Sequence, residues 1–223
     1  MARTPSGARG TRLFVLTVPG LGPFVARDLA RSGAEVTARG HDGRADVVAC
    51  ESSPGREKAL LDLRTAEDVF VEFGRTLRAE GDRPTWIATR LWKPARVAKA
   101  VELWRRLGGG RGTPTYRVVV RVLQERSFRR TRLRTALAAV VRSGEPRWRP
   151  ADPAGLELWV VEYARGKFLA GVRLSTAEMR QHGGRPAERT GALRPAVAAA
   201  MVGLASENAD GPRDGTRARR GSE

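Results

Sequence analysis

Apolar residues run almost unbroken from Arg12 to Val18 and stop at Pro19-Gly20, which predicts a buried strand. Pro23 suits the first turn of a helix that closes at Gly33, with Val25 and Leu29 one turn apart. Glu35 to Arg39 and Ala45 to Cys50 read as a hairpin around His41-Asp42-Gly43. Ser53-Pro54 opens a short helix through Leu60, Leu61 and Leu63. Asp68 to Phe73, with Val69, Val71 and Phe73 on one side, then closes the unit as a strand. The order β-α-β-β-α-β over residues 11–82 is the split ferredoxin-like pattern.

A second α/β unit, residues 83–190, follows the turn-rich Gly81-Asp82-Arg83-Pro84. Pro94 starts a helix to Leu107 with Val97, Ala100, Val101 and Trp104 on one face, and Gly108-Gly109-Gly110 ends it. Tyr116 to Leu123 alternates as a strand, Val118, Val120 and Val122 facing one way and Arg117, Val119 and Arg121 the other. The next helix, Phe128 to Arg142, has Leu133, Leu137, Val140 and Val141 for burial and exposes Arg129, Arg130, Arg132 and Arg134. A Pro-rich loop over 146–153 precedes a hairpin of Leu156–Tyr163 and Lys167–Leu174, turning at Arg165-Gly166. A last helix within residues 191–205 is expected to pack Leu193, Val197, Ala200, Met201 and Leu204. Residues 1–10 and the polar 206–223 are expected to be disordered.

Charge is distributed unevenly over this frame. The 223 residues carry 41 Lys plus Arg against 24 Asp plus Glu, a net +17. Residues 83–149 alone hold 18 basic side chains and only Glu102, Glu125 and Glu145 as acids, so nearly all the excess sits in the middle of the chain. Concentrated positive charge on a folded segment is the electrostatic footprint of a polyanion, although a solvated basic face would have the same composition. Arg90, Lys93, Arg96 and Lys99 lie on or beside one helix. Arg126, Arg129, Arg130, Arg132 and Arg134 gather at the start of the next, and Arg121 lies on the strand between them. Guanidinium groups present planar paired donors to phosphate oxygens, and these ten residues, eight of them arginines, are the candidate contacts to a polyanion. Trp86 and Trp92, set among basic residues, are candidates for base stacking. Trp104 reads as core, while Trp148 and Trp159 stay undecided.

Other chemistry is sparse. A single cysteine, Cys50, excludes an internal disulfide framework and reads as a buried small hydrophobe. His41 and His182 are the only histidines, His182 has no partner in view, and no metal site is expected. The longest uncharged stretch, Leu13 to Ala26, is shorter than the roughly 20 residues needed to span a bilayer and is broken by prolines and glycines. A cytoplasmic protein with no membrane partner is expected. Gly108-Gly109-Gly110-Arg111-Gly112 follows a helix and precedes a strand, the wrong order for a phosphate cradle.

Several runs resemble a known family. Pro19-Gly20-Leu21, Ala30-Arg31-Ser32-Gly33-Ala34-Glu35-Val36 and Leu63-Arg64-Thr65-Ala66-Glu67-Asp68-Val69 are similar to the N-terminal ferredoxin-like domain of THUMP-containing RNA methyltransferases. Tyr116–Arg121 with Ser127-Phe128-Arg129-Arg130, and the strand ending Phe168-Leu169-Ala170-Gly171-Val172-Arg173-Leu174-Ser175, resemble the THUMP core. Gly191 to Met201 resembles the helix leading into the methyltransferase domain. The resemblance implies an α+β chain of two domains, ferredoxin-like and THUMP, that binds RNA, most of all tRNA, for a guanine-N2 methyltransferase. The catalytic motifs of that family, an acidic Gly-rich loop and an (Asp/Asn)-Pro-Pro-aromatic run, do not occur here. No catalytic residue is therefore assigned. S-adenosylmethionine is expected on the missing domain, which the resemblance leaves either on a separately encoded methyltransferase partner or on the remainder of a longer protein of which this sequence is a truncated product. The rival readings are an RNA-binding module of a tRNA thiolation enzyme, a complete enzyme with an unrecognised cofactor site, and a scaffold for an acidic protein.

Overall fold

Four strands bury side chains on both faces because both faces of the sheet are covered where they lie. The computed structural model describes residues 10–77, 83–123, 128–176 and 192–209. Strand β1 (Thr11–Thr17) is followed by α1 (Gly22–Arg31), β2 (Glu35–His41), β3 (Asp46–Ser52), α2 (Glu57–Leu61) and β4 (Asp68–Thr76). Then come α3 (Pro84–Leu91), α4 (Pro94–Arg106), β5 (Thr115–Arg121), α5 (Arg130–Gly144), the two-residue β6 (Arg149–Pro150), β7 (Leu156–Ala164), β8 (Lys167–Arg173) and α6 (Pro195–Ala209).

All eight strands join one mixed sheet in the order β2-β3-β1-β4-β8-β7-β5-β6. The largely buried strands β1, β4, β7 and β8 occupy its middle, whereas β2 lies at an edge and alternates exposed with half-buried residues. Pairing is antiparallel throughout except that β5 runs parallel to β7 and β6. The two sequence units meet within this sheet, where Phe70 and Val71 of β4 pair with Arg173 and Val172 of β8. Beyond Tyr116, where pairing to β6 ends, β5 is an open edge.

Helices α1 to α5 cover one face and supply Val25, Leu29, Leu60, Ile87, Leu91, Val97, Leu133 and Leu137 to the larger core. The other face packs strands on strands: Phe14 stacks on Phe70 at 4.6 Å, and Trp159, Val161, Tyr163 and Leu169 complete that second core. The sheet curls far enough for β2 to touch β7. A Cβ on Gly40 would come within 1.9 Å of the Tyr163 carbonyl oxygen, so only glycine fits there. Gly74 does the same for α3, whose Leu91 carbonyl oxygen would lie 1.9 Å from an added Cβ.

Some expectations change. Helix α3 lies in a stretch expected to lead only to the Pro94 helix, α2 is shorter than Ser53–Leu63, and α5 begins at Arg130 rather than Phe128. Helix α6 buries Ala196 and Ala200, while Leu193, Met201 and Leu204, expected to pack, are 53%, 55% and 45% exposed. This helix also continues past residue 206 to Ala209, into the expected disordered tail. The remainder of that tail, the first nine residues and His182 lie outside the described residues.

Candidate nucleic-acid interface

Which arginines can meet a polyanion depends on which already have carboxylate partners. On the strand-only face, Glu157 of β7 accepts hydrogen bonds from Arg117 (2.6 Å), Arg173 (3.0 Å) and the Trp159 indole (2.8 Å). Burial pushes the Glu157 carboxyl up, but the hydrogen bonds from Trp159, Arg173 and Arg117 outweigh it and hold the group below the ordinary carboxylate range. Arg173 also pairs with Asp68 at 2.9 Å and Arg117 with Asp152 at 3.0 Å, so β4, β8, β7 and β5 are stitched across one end of the sheet. Arg121, a candidate RNA contact, belongs to this ionic framework. It pairs with Asp42 at 3.1 Å and lies over the Trp159 ring at 4.9 Å, and its carboxylate partner has no exposed side-chain surface.

The remaining candidates lie on the helical layer. Arg90 of α3, Lys93 at the start of α4, and Arg96 and Lys99 within α4 are all exposed. Arg96 and Lys99 line a cleft of about 450 Å³ shared with Arg12, Glu51, Glu57 and Glu72. Glu57 is nearly sealed and is reached by Thr11 (2.6 Å) and by Arg106 (3.7 Å). Glu72 is held bidentately by Arg75, the nearest contact being 2.7 Å. The cleft is thus mixed in charge, and Arg96 and Lys99 do not form a purely cationic surface.

Helix α5 is different. Leu133, Leu137 and Val141 are fully buried and fix its orientation on β5. That leaves Arg130 and Arg134, one turn apart, beside a groove of about 890 Å³ along the open edge of β5. Arg142 extends the row, about 18 Å from Arg130 at 1.5 Å per residue. Arg117 also lines this groove, but its fork is occupied by Glu157 and Asp152. Arg129 and Arg132 are exposed on the same turn of α5. Arg126 lies outside the described residues.

The start of α5 is electrostatically unfavourable. Its N-cap, Arg129, makes no side-chain cap, and its first turn contains no acid. Cations at the positive end of a helix dipole cost roughly 0.3–1 kcal/mol each, a tension that a bound anion relieves. Arg105, Arg111, Arg142 and Arg147 extend the cationic surface but were not foreseen. Arg142 continues the Arg130–Arg134 row at helical spacing, so the periodicity contained that signal. Arg111 and Arg147 sit in loops, where no periodicity operates.

Of the stacking candidates, Trp92 is buried against Phe73, edge-on at 5.7 Å, and Trp86 is partly buried on the core. Trp104 and Trp159 are core, and Trp148 is partly exposed. The triglycine loop covers Trp104, since a Cβ on Gly109 would meet its ring at 2.3 Å. Cys50 is fully buried, and desolvation pushes its thiol up to about 12. Among the described residues no group of three or more His, Cys, Asp or Glu is placed to hold a metal ion, and no helix is long and apolar enough to cross a membrane.

Comparison with known proteins places the fold. TrmN from Thermus thermophilus superposes with a TM-score of 0.58 at 20% identity, over 88% of this chain and 55% of its own. A protein described as a predicted N6-adenine-specific DNA methylase from Listeria monocytogenes gives 0.61 at 15% identity, over 87% and 48%. SMU.472, solved in complex with SAH, gives 0.55 at 11% identity, over 88% and 49%. The chain therefore spans about half the length of the solved structures it matches. No family model and no curated protein matches it. At these identities the likeness establishes a shared mixed α+β fold built on the eight-stranded sheet.

Proposed function

We propose that this chain is the RNA-binding portion, ferredoxin-like plus THUMP, of an S-adenosylmethionine-dependent RNA methyltransferase that modifies guanosine N2 in tRNA. The observation that carries the reading is the segregation of charge. Arginines of the sheet's strand-only face are paired with carboxylates, whereas Arg130, Arg134 and Arg142 line one groove with no ion pair among the described residues. In this reading the groove neutralises tRNA phosphates. The rigid sheet fixes the distance from that contact to the catalytic domain that binds S-adenosylmethionine. Selectivity comes from RNA shape and unpaired nucleotides rather than from a read helix groove.

Titration of labelled tRNA by fluorescence anisotropy from low to high salt tests it. Neutralising about 5–7 phosphates gives a log–log slope of roughly −4 to −6. A flat salt response removes phosphate contact as the main term, and the reading with it.

A further inference from the structure

The row of arginines on α5 continues beyond the helix. After Gly144 the chain turns through Glu145-Pro146-Arg147-Trp148, and the α4–β5 loop lies beside that turn. Together they enclose an open pocket of about 690 Å³ lined by Arg105, Arg111, Glu145, Arg147 and Trp148. Arg105 donates a hydrogen bond to the Gly112 carbonyl at 2.8 Å and so holds the loop in place. Arg111 and Arg147 are exposed, and no carboxylate pairs with either among the described residues. Trp148 is partly exposed and is wedged from behind by Trp92, edge-on at 6.4 Å, and by Tyr116, tilted at 6.2 Å. Its ring is therefore held in one place before any ligand arrives, so ordering it on binding costs little.

We infer that this pocket binds one unpaired nucleotide of an RNA whose backbone follows α5, with its phosphate on Arg111 and Arg147 and its base against Trp148. The chemistry matches each part of such a nucleotide. Two free guanidinium groups suit a phosphodiester, and an anchored indole suits the π-face of any base. The Glu145 carboxylate is an acceptor only, which favours a ribose 2′-hydroxyl that can donate over a deoxyribose that cannot. The inference rests on the RNA reading above and adds a subsite that the α5 groove alone does not contain.

The test uses an RNA hairpin, either blunt or bearing a four-nucleotide single-stranded overhang at its 5′ or 3′ end, with the full chain. Wild type should prefer one overhang hairpin over the blunt one by about five- to a hundredfold, the range set by stacking of one base on an aromatic ring. Trp148→Leu should erase that preference and leave blunt-hairpin binding intact. Arg111→Ala with Arg147→Ala should lower the salt slope for the overhang hairpin alone by about 0.7–0.9, the contribution of one phosphate. Both arginines are exposed, so this pair carries the test even if the leucine variant fails to fold. Equal binding of blunt and overhang hairpins by wild type, or variants that keep both preference and slope, overturns the subsite while leaving the RNA reading standing. Wild type that binds no RNA overturns both.

Discussion

Replacing Arg121 by Ala separates a structural cation from an RNA contact. The guanidinium joins the β2–β3 turn to β5: it holds Asp42 at 3.1 Å and covers Trp159 at 4.9 Å. Asp42 also accepts hydrogen bonds from the backbone N–H groups of Arg44 and Ala45, both at 2.8 Å, so its carboxylate keeps two partners when Arg121 is lost. Removing one partner of a buried pair costs 3–5 kcal/mol in general. Arg121 is 28% exposed at its side chain and Asp42 retains its two donors, so about 1–3 kcal/mol is expected from the pair. The cation–π contact adds about 0.5–1 kcal/mol. For a chain of this size 1 kcal/mol moves Tm by about 2–4 °C, so Arg121→Ala should lower Tm by roughly 3–16 °C in a calorimetric or circular dichroism melt. Its effect on the tRNA salt slope should be negligible. A double-mutant cycle with Asp42→Asn should return most of the pair contribution as coupling. An unchanged Tm accompanied by weaker tRNA binding would refute this assignment and return Arg121 to the RNA surface.

Arg130→Ala with Arg134→Ala should reduce the salt slope for tRNA by about 1–2 and shift stability by no more than roughly ±0.5 kcal/mol each; a lower Tm with the slope intact would make them structural. Acid should weaken the fold partly through Glu157. A carboxyl held below its unfolded value stabilises above the ordinary carboxylate range and loses that contribution as pH falls through it to the folded value, so Tm should drop more steeply on acidification in wild type than in Glu157→Gln. Cys50, sealed from solvent with its thiol pushed up to about 12, should resist alkylation by iodoacetamide at pH 8 in the native protein and react once the chain is unfolded.

Periodicity showed most of the framework but could not identify partners. The strands from Thr11 to Thr76 and from Leu156 to Arg173 were legible because short apolar or alternating runs and Gly or Pro boundaries are local signals. Arg130 and Arg134 were legible from local spacing too, as an i, i+4 pair flanking the stripe of Leu133 and Leu137. Arg121 was read as an RNA contact because it lies on the strand between the two basic clusters. Its actual partner, Asp42, is 79 residues away in sequence, where no local pattern reaches. Helix α3 escaped notice because its eight residues follow the turn signals at Gly81–Pro84 and give too short a window for a 3.6-residue period. In α6, apolar residues surround the helix and no sequence stripe selects a face. Ala196 and Ala200 allow the closest approach and became the buried side.

The β4–β8 pairing has a consequence for synthesis of the chain. Thr76 on β4 is paired with Phe168 on β8, about 90 residues later. At 5–20 residues per second the ribosome takes about 5–18 s to deliver that partner. During that interval the first four strands present β4, with Val69, Phe70, Val71 and Phe73, as a bare edge on which a second nascent chain could add a strand. Splitting the gene at residue 82 would make the interval permanent: the N-terminal fragment should be recovered as aggregate, and adding residues 83–209 in trans during refolding should rescue it.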